Sequence, residues 1–299
     1  MNRSKRWWWQ LIIVLVLLTV MGILINNLAV NLIRTGLGLS FDWLWRPAGF
    51  ALSEHPLPYQ PSDSTAWALL MGWLNSLRVI VAGIVLATLL GVSTGAARRS
   101  LNPLLRRLAA LYVGFIRQIP LLLQLLFWYF VAFLGLPSEP FAPLGTLIHL
   151  SNQGISLLGV TLSVEFAAVL LGLSVFTGAS IAEVVRGGLD SVPRGQWEAF
   201  RSLGMTESLG LRRIVLPQAL PAILPALSSQ YLNLAKNSTL AIAVGYADLY
   251  AVSDTTITQT GRAIEGFLLL LLSFLLLNLL INGGMQLLNR AVLKSQHHH

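Results

Sequence analysis

EVVRGGLDSVPRGQWEAFRSLGMTESLGLRRIVLP, residues 183–217, is a polar and basic stretch with strongly apolar sequence on both sides. It carries Arg186, Arg194, Arg201, Arg212 and Arg213, and the inward bias of basic loops in membrane proteins places it inside the cell. Its pattern predicts helix, turn, helix. Asp190 or Ser191 stands where an N-cap is needed, and Pro193 suits a first-turn position, where its missing N–H costs nothing. Gly204 is expected to stop the first helix as a left-handed residue. Thr206 is expected to cap a second helix that ends before Pro217. Trp197, Phe200 and Leu203 recur every three residues and are read as one apolar ridge, with Glu198 and Arg201 opposite as an i,i+3 pair worth about 0.2–0.5 kcal/mol. Such a ridge needs a groove, either among the chain's own membrane helices or on a partner.

The flanks set the class. The chain has 299 residues, 55% of them hydrophobic and only 11% charged, with mean hydropathy +0.70, which is the composition of an all-α polytopic membrane protein. The net charge of +8 sits in short loops between apolar runs, where it orients the chain in the bilayer and is no nucleic-acid footprint. Without cysteine there is neither a disulfide nor a thiolate metal site. His297, His298 and His299 read as a purification-tag remnant and carry no function.

Arg3, Lys5 and Arg6, then Trp7, Trp8 and Trp9, form an interfacial anchor ahead of the apolar run 11–28, long enough for a spanning helix. No small-residue cleavage site follows it, so a retained helix with an inner N-terminus is expected. Residues 30–66 form an outer segment in which His55 is an exposed loop residue. An interfacial helix over 67–78 leads into a second span, 79–97. Arg98, Arg99, Arg106 and Arg107 mark an inner loop that turns at Asn102-Pro103. Further spans are expected over 119–136, 163–185, 222–244 and 266–288. An outer surface or interfacial element occupies 137–162, and another outer return runs over 246–262. Pro217, Pro221 and Pro225 are expected to delay the fifth span to about residue 222. Six crossings with both termini inside satisfy the charge rule at every loop.

Glu198-Ala199, Gly204, Ile214 and Leu216-Pro217 resemble the "EAA" loop of ABC-importer permeases, with Phe200 where many members have Ala. Arg194-Gly195-Gln196 resembles the polar amino-acid branch. YVGFIRQIPLLLQLLFWYF, residues 112–130, is similar to a second block of that family. NNLAVNLIRTGLGLSFDWLWRPAGFAL, residues 26–52, and WLNSLRV, residues 73–79, look like the general L-amino-acid subgroup of cyanobacterial type, which carries an extra N-terminal helix and a long outer loop. The resemblance covers nearly the whole chain. It implies a type I ABC-importer permease fold of about six transmembrane helices in the bacterial inner membrane. It divides the chain into an N-terminal helix and outer loop, 1–66, a permease core, 67–294, with a cytoplasmic coupling loop, 186–217, and a tail, 295–299. It further implies that Gly195, Gln196, Trp197, Glu198, Ala199, Phe200, Arg201, Leu203 and Gly204 dock on a separate ABC ATPase dimer. A second homologous permease, or a second copy, completes the pore, and a periplasmic amino-acid-binding protein delivers the substrate. In the second block, Arg117 would lie at the inner interface, Pro120 in a first turn and Gln124 one turn deeper.

The residues limit the chemistry independently. The three lysines are Lys5, Lys236 and Lys294; none follows a glycine, so the Gly-x4-Gly-Lys-Ser/Thr phosphate loop is absent. ATP and Mg are therefore expected on the partner ATPase, and this chain is expected to need no cofactor or metal. Lys236 lies in YLNLAKNSTLAIAV, residues 231–244. An ammonium near the bilayer centre costs about 2.5–3.5 kcal/mol on insertion scales, so it should meet a cavity or a partner. Either it pairs with a carboxylate or snorkels outward, or with Asn237, Ser238 and Thr239 it lines a substrate path and meets an α-carboxylate. Gln124 offers its amide to the same path or makes an interhelical hydrogen bond. Glu183 is expected to pair with a basic residue such as Arg186. Gly83, Gly91, Gly95, Gly172 and Gly178 are expected where helices pack closely. An ion-coupled secondary transporter would need inverted repeats and several intramembrane carboxylates, which the chain does not show. An intramembrane enzyme would need a motif such as His-Glu-x-x-His or Gly-x-Ser-x-Gly, and neither occurs.

Overall fold

The computed structural model describes residues 3–34, 38–139, 148–157 and 160–296. The tag remnant and part of the 137–162 connection lie outside these residues. Helix α1, Arg3–Arg34, stands clear of the rest, with the apolar run fully uncovered. After it, the segment 38–64 folds over the outer end of the bundle, placing Ala48 and Tyr59 against Ala68, Met71 and Val252. Ser64 caps α2, Thr65–Ala97, by accepting from the Trp67 N–H at 3.3 Å. The expected interfacial helix and second span are thus one continuous helix.

Helix α3, Pro103–Ile116, starts at Asn102, whose side chain accepts from the N–H groups of Leu104 and Leu105. It is followed by α4, Leu121–Leu126, which continues as a π-helical turn, Phe127–Phe133. The two arms meet at 104°, because the residue before Pro120 is barred from helical geometry and Pro120 itself has no N–H to give. The expected third span is therefore one arm of an elbow. The outer connection contains a three-stranded antiparallel meander: β1, Ile148–Ser151; β2, Gly154–Leu157; β3, Val160–Leu162. Helix α5, Val164–Asp190, is capped by Ser163 and is the most buried of the long helices.

Next come two short helices, α6, Arg194–Ser202, and α7, Glu207–Gly210. A π-helical turn, Leu211–Val215, then passes directly into α8, Leu216–Asn237. The helix expected as the fifth of six crossings thus begins before the three prolines and not after them, and it is not among the described helices long and apolar enough to cross by themselves. Pro217 lies in the first turn, where no donor is lost, and Pro221 and Pro225 lie off the buried face made by Ala219, Ile223, Leu224 and Leu227. Membrane helices accept such prolines when neighbouring groups take up the freed carbonyls. A 3-10 segment, Ser238–Val244, ends at left-handed Gly245. The expected outer return contains a helix, α9, Leu249–Thr260, capped by Asp248 and closed by Gly261 at φ +67°. Helix α10, Ala263–Gln296, completes the bundle. Among the described residues α1, α2, α5 and α10 are long and apolar enough to cross a membrane, and the α3–α4 elbow makes a fifth if it counts as one span.

The centre of the bundle is the α2–α5 pair. A Cβ on Gly91 would run into Ile181, and one on Gly95 would come within 2.7 Å of Val185. Gly172 likewise admits Leu125 of α4. The expected role of these glycines in close approach holds. The main core packs α8 and Leu277 of α10 on this pair, and reaches down to α6.

Candidate functional site

One end of the bundle gathers the basic loops. Glu183 accepts from Arg98, from Arg186 Nε at 2.9 Å and, more distantly, faces Arg117 at 3.8 Å. Asp190 receives Arg99 and, at 2.7 Å, Arg186. These two carboxylates bring the 98–102 loop, the corner between α3 and α4 and the end of α5 together. The inner loops therefore share one end, as their charge predicts. Glu183 makes its expected pair with Arg186 and is committed to two more guanidinium groups, Arg98 and Arg117.

On this platform sits α6. Its N-cap is Pro193, not Asp190 or Ser191. α5 runs on for an extra turn and claims both, Ser191 as its C-cap with the hydroxyl bonded to the Gly188 carbonyl at 2.7 Å. The C-terminus follows the expectation. Gly204 is left-handed at φ +71°, its N–H bonds the Arg201 carbonyl at 2.9 Å, and the Met205 N–H bonds the Phe200 carbonyl at 3.1 Å, a double closure of the last turn. Thr206 caps α7 as expected. Arg201 pairs with Glu207 at 2.6 Å and not with Glu198. The chain reverses at Gly204, and this hairpin brings Glu207 nearer than the i−3 carboxylate. The Glu207 hydrogen bond and charge hold the exposed Arg201 above its ordinary pKa.

The ridge does not share one face. Residues three apart advance 300°, so each step drifts by about 60°. Trp197 is 9% exposed, Phe200 0% and Leu203 77%. Trp197 and Phe200 enter the chain's own core beside Leu189, Val192, Val215 and Ala219. Phe200 lies so close to Gly210 that any Cβ there would collide with its ring. The Arg99 guanidinium closes over Trp197, 4.4 Å from the ring centre. Burial, with the nearby charges of Arg201 and Arg186, lowers the Arg99 pKa from its usual value. Gln196 is tied to Gln218 of α8 at 3.2 Å. What remains outward is Gly195, Gln196, Glu198, Ala199, Arg201, Leu203 and Gly204. A polar cavity of about 510 Å³ opens between Arg99, Asp190, Arg194 and Arg201. Arg99, Glu207 and Gln218 are the members of this site that the sequence reading missed. No periodicity links them to α6, and only the folded hairpin does.

The candidate path residues divide. Gln124 is buried, 5% exposed, and its Nε2 donates to the carbonyls of Ile116 and Ile119 at 2.9 and 3.0 Å. It staples the elbow, where the end of α3 leaves carbonyls without helical donors. Ser238 is buried and bonded to the Ala235 carbonyl, and Thr239 returns its hydroxyl to the Lys236 carbonyl. Lys236 is exposed, and among the described residues no carboxylate pairs with it. Because α8 ends at Asn237, Lys236 lies in its last turn. Leu234 meets Gly83, which is about 21 Å along α2 from Ala97 at 1.5 Å per residue. Gly83 is also about 27 Å from Thr65 on the same scale, so Lys236 lies level with the middle of α2. The helix there gives way to the 3-10 segment.

Residues 80–294 match the family described as binding-protein-dependent transport system inner membrane component. The putative amino-acid ABC transporter permease protein YhdX of Escherichia coli K12 is 32% identical, the comparison covering 96% of this chain and 94% of that protein. The general L-amino acid transport system permease protein AapQ of Rhizobium johnstonii is 33% identical over 80% of each. Among solved structures, a crystal structure of an amino acid ABC transporter with histidines aligns with TM-score 0.60 and 26% identity over 76% of this chain and 94% of that one. The inward-facing MetNI methionine ABC transporter shares the fold at TM-score 0.59 and 22% identity, over 76% of this chain and 96% of that one.

Proposed function

This chain belongs to the binding-protein-dependent transport system inner membrane components, as a multi-pass transmembrane subunit of an amino-acid ABC importer, and we propose that α6 is the helix through which a separate ATPase dimer drives it. The carrying observation is the two-sidedness of α6: Trp197 and Phe200 root it in the bundle, while Leu203 and its neighbours stand bare at the basic end. A helix held in this way transmits force, because whatever grips its outer side must move the α2, α5 and α8 helices its inner side is packed into. Gly195, Gln196, Glu198, Ala199, Arg201, Leu203 and Gly204 form the docking side. ATP and Mg stay on the partner, in keeping with the absence of a phosphate loop here.

The cargo is L-amino acids carried from periplasm to cytoplasm, which the names of the relatives favour. A second permease, homologous or identical, supplies the other half of the pore, and a periplasmic binding protein supplies the substrate. ATP binding and hydrolysis rock the two halves between outward- and inward-facing states. Reconstitution with the ATPase and binding protein in proteoliposomes tests this reading. ATP-dependent uptake of L-amino acids is expected, with Glu198→Lys and Gly204→Asp losing uptake while inserting normally, and the purified chain alone hydrolysing no ATP. Uptake untouched by both substitutions, or ATP turnover by the chain alone, refutes it.

A further inference from the structure

The outer segment 38–64 lies at the end of the bundle opposite the basic loops and is tied to the top of α10. Arg262 donates through Nη1 to the Gly38 carbonyl at 2.8 Å and to Glu265 at 3.2 Å, and the buried Glu265 also accepts the Ser40 N–H at 3.3 Å. Between this segment, the start of α2 and the end of α9 lies a cavity of about 530 Å³, with Asp42, Trp43, Arg46, Thr65, Gln259 and Arg262 in its wall. Both signs of charge stand there unspent. Arg46 has no side-chain partner among the described residues. Asp42 accepts the Ser40 hydroxyl on Oδ2 at 2.8 Å and does not pair with Arg46. The Gln259 amide is also unbonded, and the Trp43 indole N–H is buried without an acceptor among the described residues.

The surroundings of this polar wall are apolar. Leu39, Phe41 and Trp45, interleaved with the lining residues, are exposed. The exposed face of α10 begins in its second turn with Phe267 and Leu268 and continues through Leu271 and Leu272. Exposed tryptophan and arginine at the end of an apolar span mark the membrane–water interface. A free ion or free zwitterion would use the charged wall and leave the apolar groups in water, whereas an amphiphile covers both. An ammonium beside a phosphate matches a carboxylate beside a guanidinium; a headgroup with the phosphate alone sets a like charge near Asp42. We propose that this cavity holds the headgroup of a phospholipid of the outer leaflet, one that carries an ammonium beside its phosphate, as phosphatidylethanolamine does. Arg46 receives the phosphate, Asp42 the ammonium, and the acyl chains lie along Phe267, Leu268 and Leu271. The lipid then clamps the outer segment to α10. The site is independent of the cargo and of the ATPase.

The full-length chain, delipidated in detergent, is titrated with phosphatidylethanolamine and separately with phosphatidylglycerol. Bound lipid is counted by native mass spectrometry, and thermal melts are run in parallel. The parent is expected to bind one phosphatidylethanolamine in preference to phosphatidylglycerol and to melt higher with it. Losing one charge-assisted contact should weaken binding about tenfold, so Arg46→Gln is expected to bind phosphatidylethanolamine about tenfold less tightly and to lose the melt shift. Its melt without lipid should match the parent's, because the side chain makes no contact within the fold. Asp42→Asn is expected to lose the preference between the two lipids. Arg212→Gln, the same charge change at the opposite end, is expected to alter neither readout. Arg46→Gln binding within twofold of the parent overturns the site. Asp42→Asn with its preference intact overturns the ammonium contact. Free phosphoethanolamine that raises the melt as much as the lipid, at equal concentration, overturns the lipid assignment by making the cavity a site for a soluble zwitterion.

Discussion

Leu203→Ala separates docking from self-packing. Leu203 is 77% exposed at the C-cap of α6, next to left-handed Gly204, so nearly all of its side chain is available to a partner. Burying a leucine fully contributes about 1.5–3 kcal/mol. Taking about 2 kcal/mol, truncation should weaken ATPase docking by about 30-fold while leaving the chain's own stability almost unchanged. Phe200→Ala is the control with the opposite signature. Phe200 is wholly buried against Trp197 and Gly210, and removing such a ring costs about 3–5 kcal/mol, so the hairpin should loosen and the melting temperature fall. Both variants go into nanodiscs, where ATPase binding is measured by interferometry and stability by a thermal melt. Leu203→Ala docking within twofold of the parent, at unchanged stability, refutes the assignment of the bare side of α6. A drop in melting temperature equal to that of Phe200→Ala refutes it differently, by making Leu203 part of the fold.

Gly91→Val forces a branched side chain into Ile181 at the α2–α5 contact and should destabilise the detergent-solubilised chain by about 1–3 kcal/mol. Gly187→Ala, which meets nothing within 4 Å, should leave the same melt unmoved or slightly improved. Asp248 caps α9 with one oxygen and leaves Oδ2 buried without a partner; burial pushes its pKa up to about 7. The folded state then holds a proton that the unfolded state has released, so stability should fall by at most about 1.4 kcal/mol per unit as pH rises from about 4 to 7, and flatten above. Melts across that range should show the slope in the parent and lose it in Asp248→Asn.

What could be read from the chain before folding followed from periodicity and charge. Apolar runs give spans, basic clusters give sidedness, and the small residues at 91, 95 and 172 mark the places where helices meet. What could not be read lay where local preference is overruled. Pro221 and Pro225 argue for a late start to α8 in water. In the fold their rings lie off the buried face, and the helix runs through them. The 246–262 return hides α9 because its last turns, over 254–260, are largely polar, although Asp248 and Gly261 are ordinary start and stop residues. The elbow before Pro120 was equally hard to foresee. Its geometry depends on Gln124 supplying two donors to the orphaned end of α3.

The α6 hairpin shows the same division more sharply. Gly204 and Thr206 act through backbone rules and were legible. The ridge was not, because a spacing of three is close enough to 3.6 to look like one face and far enough to turn Leu203 away from Trp197. That drift gives α6 its mechanical character. A helix with all three residues outward would grip a motor but hold its own bundle only through its ends. One with all three inward would be rigid and smooth. With Trp197 and Phe200 seated inside and Trp197 capped by Arg99, a push on the bare side reaches the end of α2 through Arg99, α5 through Asp190 and α8 through Gln218. The outer-facing side of α8 is then joined to α6 by that same Gln218.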